Sequence, residues 1–562
     1  MADTFGGLRT TVLHNGKILT VDDQDSISQA IAIRNERILA VGADAEVMPL
    51  ADGESTVINL NGRTVIPGIV DIHAHLDREG LKSIYPSLEG LRSITEILDR
   101  LRTLIDGVSP GEWVVTMPIG DPPNYADMPQ SLAEGRFPTR RDLDAVAPDH
   151  PVYIKGIWTP WNVPPAVSIA NSLALRLAGI DRHTESPDSS VTIDKDQEGE
   201  PTGIFVDTGR YPSVEFTLMK CVPRFTPEQR VAALKESMRL YNSVGTTGTY
   251  EGHGVAPEVL QAYKAVWDSG EMTVRANLTV SPLWHSEEQA AAEMESWGHS
   301  FSGPGFGDDF LRVSGCFIQY GGNRYTAEAR SRLLPYTGWA GFIQGYHSPD
   351  LFARVVRLAA RHNLRVNTLV REPLEEVLAV FEDVDREFPL NGRRWTLAHI
   401  LQTSDEQLAK IRRLGLLVET IPLTELWLRG SPYLDDPDLA DGAVAHRRYL
   451  EKGVDFSFGT DNKPYNPFAT LWAAVARRER VTDRVLGPDQ CLTRLEALRA
   501  FTLGGARFSF DESRRGSLEV GKLADLAVLS DDLLEMEEAA IPELHSLLTM
   551  VGGRVVHRSA DF

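Results

Sequence analysis

In IPGIVDIHAHLD, residues 66–77, His73 and His75 stand one residue apart at the end of an apolar run. Side chains two apart in an extended strand face the same side, so the two imidazoles converge. Convergent imidazoles can hold a divalent ion, or they can be ordinary hydrogen-bonded histidines, and the spacing alone does not choose between the two. The residue that gives the pair chemical weight is Asp461 in FSFGTDNKPYNP, between a strand-like run and a Pro-rich loop. An aspartate in such a place can also be a plain turn or capping residue. Taken together, two imidazoles and a carboxylate are the ligand types that a divalent ion takes.

Such residues need elements to bring them together. Eight short apolar runs read as strands: GIVDIHAHL, GTTGTYEGHG, VRANLTVSPLW, RVSGCFIQYGG, LRVNTLV, WTLAHIL, LGLLVETIP and VDFSFGTDN. Helical patterns such as PEQRVAALKESMRLYNSV, PDLFARVVRLAARHN and SDEQLAKIRRLG separate several of them. Strand and helix in alternation predict a parallel sheet, and eight strands predict a (β/α)8 TIM barrel, with the site at the C-terminal strand ends. The gap between the first two runs, residues 84–225, is too long for a loop and carries its own helix and strand signals. It reads as an insertion after barrel strand 1, placed to act as a lid on a barrel of residues 66–514. Short alternating runs with Asn-Gly turns over residues 1–65, matched in style by residues 515–562, predict one small β-sandwich domain built from both termini.

Composition removes whole classes of partner. The chain of 562 residues has a net charge of −22, which argues against nucleic acid and anionic membranes, since both need a basic footprint. No apolar run is long enough to span a membrane, and no secretory signal is visible at the start. Three scattered cysteines without a CxxC fit a reducing compartment, so a cytoplasmic location is expected. The expected partner is a small-molecule substrate, and a homodimer is compatible with the reading.

VIPGIVDIHAHLD resembles the first-strand signature of the amidohydrolase superfamily, and GTDNKPYNPFATLWAAVARR resembles its eighth-strand aspartate motif. EALRAFTLGGARFSF, GSLEVGKLADLAVLS and VGGRVV are similar to its C-terminal segment. ANSLALRLAGI and EGEPTGIFVD resemble the amidohydrolase family 3, or YtcJ-like, branch. The similarity runs over nearly the whole chain and implies a metal-dependent barrel with a small β-sandwich. It also implies that His73, His75 and Asp461 are metal ligands, and that His399 in WTLAHIL is a fourth ligand or a donor to the substrate's oxyanion. Asp461 would shuttle the proton. Two ligands that the resemblance leads one to expect are missing. Where a bridging lysine is common, RVSGCFIQYGG has Cys316 or Phe317; where a histidine is usual, NTLVREPLEEVL has Asn367. An amide is a poorer ligand than imidazole, so one ion is expected, Zn2+ ahead of Mn2+, Co2+ or Fe2+.

The substrate side is less determined. Asn367 could be a weak ligand, a donor to the substrate or simply a filler of space. His253 in TYEGHG could approach the metal or the substrate, or be structural, with Glu251 on its face. Trp158 and Trp161 in KGIWTPWNVPP would suit an apolar or aromatic substrate, or else be buried for packing. Arg371 and Arg324 could hold a carboxylate, and Gln319 could face the barrel mouth. The expected reaction is hydrolysis of a C–N bond in an amide, carbamate, formamide or cyclic amide. A lyase, hydratase or C–C or C–S cleaving enzyme on the same metal barrel is the alternative. A relative that has lost its metal and binds a partner fits poorly with four retained ligand-type residues.

Overall fold

The eight apolar runs form eight strands in one parallel sheet, in chain order: β1 (Ile69–Asp71), β2 (Thr246–Val255), β3 (Arg275–Val280), β4 (Leu311–Phe317), β5 (Val366–Leu369), β6 (Thr396–Ala398), β7 (Leu417–Thr420) and β8 (Phe456–Phe458). Each pairs in parallel with the next. The first and last approach through the Ile72 N–H donating to the Phe458 carbonyl at 3.2 Å and the Asp461 N–H to the His73 carbonyl at 2.9 Å, which nearly closes the barrel. The computed structural model describes residues 10–123, 125–156, 165–209, 213–322, 324, 327–328, 345–370 and 373–562. These fall into two compact units, one of residues 1–76, 235–322 and 344–562, the other of 77–234 with 323–343.

The strands are buried along their whole length in β1, β2 and β3, as expected where both faces of a parallel sheet are covered. The covering helices carry their own punctuation. Pro349–Arg361 buries Phe352, Val355, Val356, Ala359 and Ala360, the one-sided stripe of a 3.6-residue period; Ser348 caps it, and Pro349 opens it. Asp405–Leu414 begins with a Ser404–Gln407 capping box and ends on left-handed Gly415. Within the same unit, a four-stranded sheet (Arg37–Gly42, Ala30–Arg34, Thr10–His14, Thr56–Asn59) lies alongside a six-stranded one. The six-stranded sheet mixes both chain ends: Val65 and Ile66 pair with Val528 and Ala527. The two share an apolar cluster that includes Leu13, Ile31, Ile33, Val65, Leu526 and Leu548.

The second unit has a five-stranded sheet in the order Val191–Lys195, Pro201–Asp207, Ala166–Ala170, Val152–Ile154, Val114–Thr116. Alternate residues serve two different cores. Val114, Val152, Ile154 and Ile169 belong to one cluster, Val115, Tyr153 and Ala170 to the other. Among the described residues no helix is long and apolar enough to cross a membrane, and all three cysteines are free.

One buried ion pair ties the C-terminal segment to the barrel. Arg275 of β3 holds Asp525 with two hydrogen bonds, 2.8 and 3.0 Å, and Asp525 also accepts the Gly552 N–H at 2.7 Å. Removing one partner strands the other charge in a dry site. Asp525→Ala is expected to cost about 3–5 kcal/mol in urea unfolding, whereas Arg102→Ala, which breaks the exposed pair with Asp99, costs less than about 1 kcal/mol.

Candidate metal centre

β1 ends at Asp71, two residues before His73 and four before His75, and the reason is local. Asp71 Oδ1 accepts the N–H of His73 and the N–H of Thr460, both at 3.1 Å, and Oδ2 accepts the Thr460 hydroxyl at 2.6 Å. The carboxylate replaces ladder bonds and turns the chain, joining the ends of β1 and β8. Burial pushes its pKa up to about 6 against those hydrogen bonds. Asn462 clamps the next stretch: its Oδ1 accepts the His75 N–H at 2.9 Å and the Tyr241 hydroxyl at 2.6 Å, and its Nδ2 donates to the His75 carbonyl at 3.1 Å.

His73, His75, His253, His399 and Asp461, brought from four strand ends, are all buried together. His399 (φ 57°), Asp461 (φ 52°) and Asn462 (φ 56°) sit in the left-handed region, which non-glycine residues adopt at a cost of about 1–3 kcal/mol each. Gly459 makes room for this: a Cβ there would lie 2.1 Å from the His73 Cβ. The His73 ring stands 4.9 Å from that of His75, 4.6 Å from His253 and 4.8 Å from His399. His75 Nε2 is 2.9 Å, and His73 Nε2 3.8 Å, from Asp461 Oδ1.

Carboxylates hold the far side of three rings. Glu419 of β7 is hydrogen bonded to His73 Nδ1, Glu251 of β2 lies 2.6 Å from His75 Nδ1, and Glu425 lies 3.5 Å from His399 Nδ1. A ring whose Nδ1–H is held this way presents Nε2 as a lone pair, the form that ligates metal. His73 Nε2 is buried and makes no hydrogen bond among the described residues. One ligand atom each of His73, His75 and His253, and likewise of His73, His399 and Asp461, lie within 4.8 Å of one another. The donor set, imidazole nitrogens with a carboxylate oxygen, fits a divalent ion.

The electrostatics are those of a dry, charged pocket. Burial works to lower the His73 pKa, but the Glu419 and Asp461 carboxylates prevail and hold it above its usual value. Burial works to raise Asp461, and the Lys463 ammonium, ion-paired with its Oδ2, holds it well below the usual carboxylate range. Burial, then the neighbouring His73, His75 and His399 rings, push the His253 pKa well below its usual value.

Of the residues read from the sequence on the substrate side, His253 joins the cluster, and Asn367 turns to the backbone, its Nδ2 donating to the Gly252 carbonyl at 3.0 Å. Gln319 Nε2 donates to the neighbouring Tyr320 carbonyl at 3.2 Å. Exposed Arg324 pairs with Glu328, four residues on, at 2.8 Å. Buried Cys316 has its thiol pushed up to about 12 and packs as core. Trp158, Trp161 and Arg371 lie outside the described residues. Sequence reasoning missed Glu419, Asp71, Asn462 and Lys463. The last two sit next to Asp461 in GTDNKP, and Glu419 is the one acidic residue in an otherwise uncharged LGLLVETIP.

A family model described as amidohydrolase family matches residues 56–557. The YtcJ protein of Bacillus subtilis is 26% identical over 98% of this chain and 99% of its own. The N-substituted formamide deformylase of Arthrobacter pascens is 27% identical over 97% and 98%. The crystal structure of a metal-dependent hydrolase from Pyrococcus horikoshii superposes with a TM-score of 0.67 at 22% identity, covering 94% of this chain and 99% of that one. Glu419→Gln keeps the size of the side chain that orients His73 and removes its charge. Divalent-ion affinity is expected to fall roughly 10–100-fold, as measured by chelator competition.

Proposed function

The chain belongs to the amidohydrolase family, and from that premise we propose that it hydrolyses a C–N bond of a small amide, carbamate, formamide or cyclic amide with the help of one divalent ion, zinc. The observation that carries this reading is the set of carboxylate-backed imidazoles: His73 and His75 each lean Nδ1 on a buried carboxylate and turn Nε2 towards Asp461 Oδ1. His73, His75, His399 and Asp461 would hold the ion. Bound there, it would supply a water nucleophile at neutral pH and polarise the carbonyl.

The chain's own residues do the rest. Glu419, Glu251 and Glu425 fix the rings, so the ligand atoms need no reorganisation when substrate arrives. Asp461 is the carboxylate placed to take the proton of the attacking water and return it to the leaving nitrogen. Lys463 holds Asp461 Oδ2 and leaves Oδ1 facing the imidazoles. The name of the Arthrobacter relative, a deformylase of N-substituted formamides, supports the amide class. Trp158 and Trp161, close together in the sequence, favour an apolar or aromatic group on the substrate.

The test is a screen of amides, formamides and carbamates for release of amine or acid. Stripping the ion with a chelator should abolish turnover, and zinc, manganese or cobalt should restore it. Asp461→Asn should lower kcat by about 10²–10⁴ with an unchanged circular dichroism spectrum. A chain that carries no ion as purified, takes none up on addition and turns over none of these substrates would sink the reading.

A further inference from the structure

The proposed function uses three imidazoles, and the barrel mouth holds four. His253 is placed against His73 as the other two are. Its ring centre is 4.6 Å away at an interplanar angle of 76°, against 4.9 Å and 78° for His75 and 4.8 Å and 79° for His399. His253 is also nearly parallel to both: 3° from His75 and 28° from His399, at 5.6 Å from each. An atom bound beside His73 would therefore meet His253 in the same attitude as its neighbours. One ligand atom each of His73, His75 and His253 lie within 4.8 Å of one another. Bonds of about 2.0–2.1 Å separate ligand atoms by roughly 3–4 Å, so small side-chain adjustments close the set.

Three strands set this ring. The β2–β3 register slips between Glu251 and Val255, and Gly254 takes φ 72°, a bulge that re-aims a side chain at the strand end. Asn367 of β5 reaches across and donates to the Gly252 carbonyl at 3.0 Å, fixing the peptide that carries His253. Gly252 also leaves room for the Glu419–His73 pair beside it, since a Cβ there would lie 2.5 Å from Glu419 Oε2 and 3.1 Å from His73 Nδ1. Phe317 of β4 meets the ring edge-on at 5.2 Å and bounds its other side. A hydrogen bond fixes the backbone and an aromatic contact fixes the ring, which is how a ligand is preorganised.

We propose that His253 is a ligand of the divalent ion, contributed by β2, and that Asn367 is the positioning residue that holds it there through the Gly252 carbonyl. The inference rests on the metal reading above and extends it to a strand end that the His73–Asp461 set does not use. Asn367 thereby acts on the ion at one remove.

The test uses the full chain, stripped of metal and titrated with zinc and with cobalt. Wild type should take up one ion, and X-ray absorption of the zinc form should count one more imidazole than in His253→Ala. That variant should bind zinc more weakly by more than the roughly 10–100-fold expected of an orienting group, with added imidazole restoring the visible cobalt spectrum. Asn367→Ala should weaken binding by roughly 10–100-fold and change the cobalt spectrum while keeping the imidazole count. If His253→Ala does not fold by circular dichroism, His253→Gln takes its place. A His253 variant with wild-type affinity, imidazole count and cobalt spectrum overturns the inference and leaves the metal reading standing. A wild type that takes up no ion overturns both. An unchanged spectrum in Asn367→Ala removes its positioning role.

Discussion

Four imidazoles buried at one barrel mouth are tolerable only if each ring has a defined protonation state and the charge around them balances. The Glu419–His73 contact is where that constraint is met most tightly. Both groups are fully buried; burial raises the Glu419 pKa, and the His73 ring beside it works to lower it. Glu251 and Glu425 repeat the arrangement for His75 and His399. Counting Asp71 and Asp461, five buried carboxyl groups surround the rings, and the buried cations near them include Lys463 and Arg365. Isolated charge in a low-dielectric site costs several kcal/mol per ion, so carboxyl groups gathered this closely are compatible with folding when cations stand among them.

The barrel supplies the rigidity that this chemistry needs. β1 and β8 meet through backbone bonds and through Asp71, and His399 and Asp461 sit where their strands break off into left-handed turns. Such turns are unfavourable in isolation, and they persist because the surroundings over-determine them. Asn462 bonds both backbone groups of His75, and Gly459 lets the His73 side chain pass. Conformational strain and ligand placement are in this sense the same feature: relaxing His399 or Asp461 into ordinary backbone geometry would swing its side chain out of the cluster.

How much of this could be read beforehand depended on whether a residue's role is local. The eight strand runs were legible because buried parallel strands are nearly continuous apolar stretches bounded by helix signals, and all eight fall where the pattern placed them. His73, His75, His399 and Asp461 were legible through their motifs, and the structure gathers them. Glu419 and Asp71 were not, since a lone acid in an apolar run has the same local pattern whether it faces solvent or an imidazole hundreds of residues away. Asn367 shows the same limit. Its type announced that something was missing on β5, but only the fold shows that its amide nitrogen serves β2. The exact end of β1 was equally out of reach, because a side chain two residues back, not the backbone pattern, terminates it.

The same geometry bears on how many ions the mouth can accommodate. The family resemblance would take a second ion's donors from β4 and β5, where Phe317 and Asn367 stand as paired neighbours. Phe317 offers no lone pair, and its ring edge already packs against His253. The Cys316 thiol is buried, pushed up to about 12 and set against the Arg365 carbonyl, so thiolate ligation there is unfavourable at neutral pH. The Asn367 nitrogen is committed to Gly252, which leaves a single amide oxygen, a weak donor beside imidazoles. The ends of β4 and β5 thus carry a phenyl ring packed on His253 and an amide committed to a backbone hydrogen bond. These features favour one ion, and they act by withholding ligands.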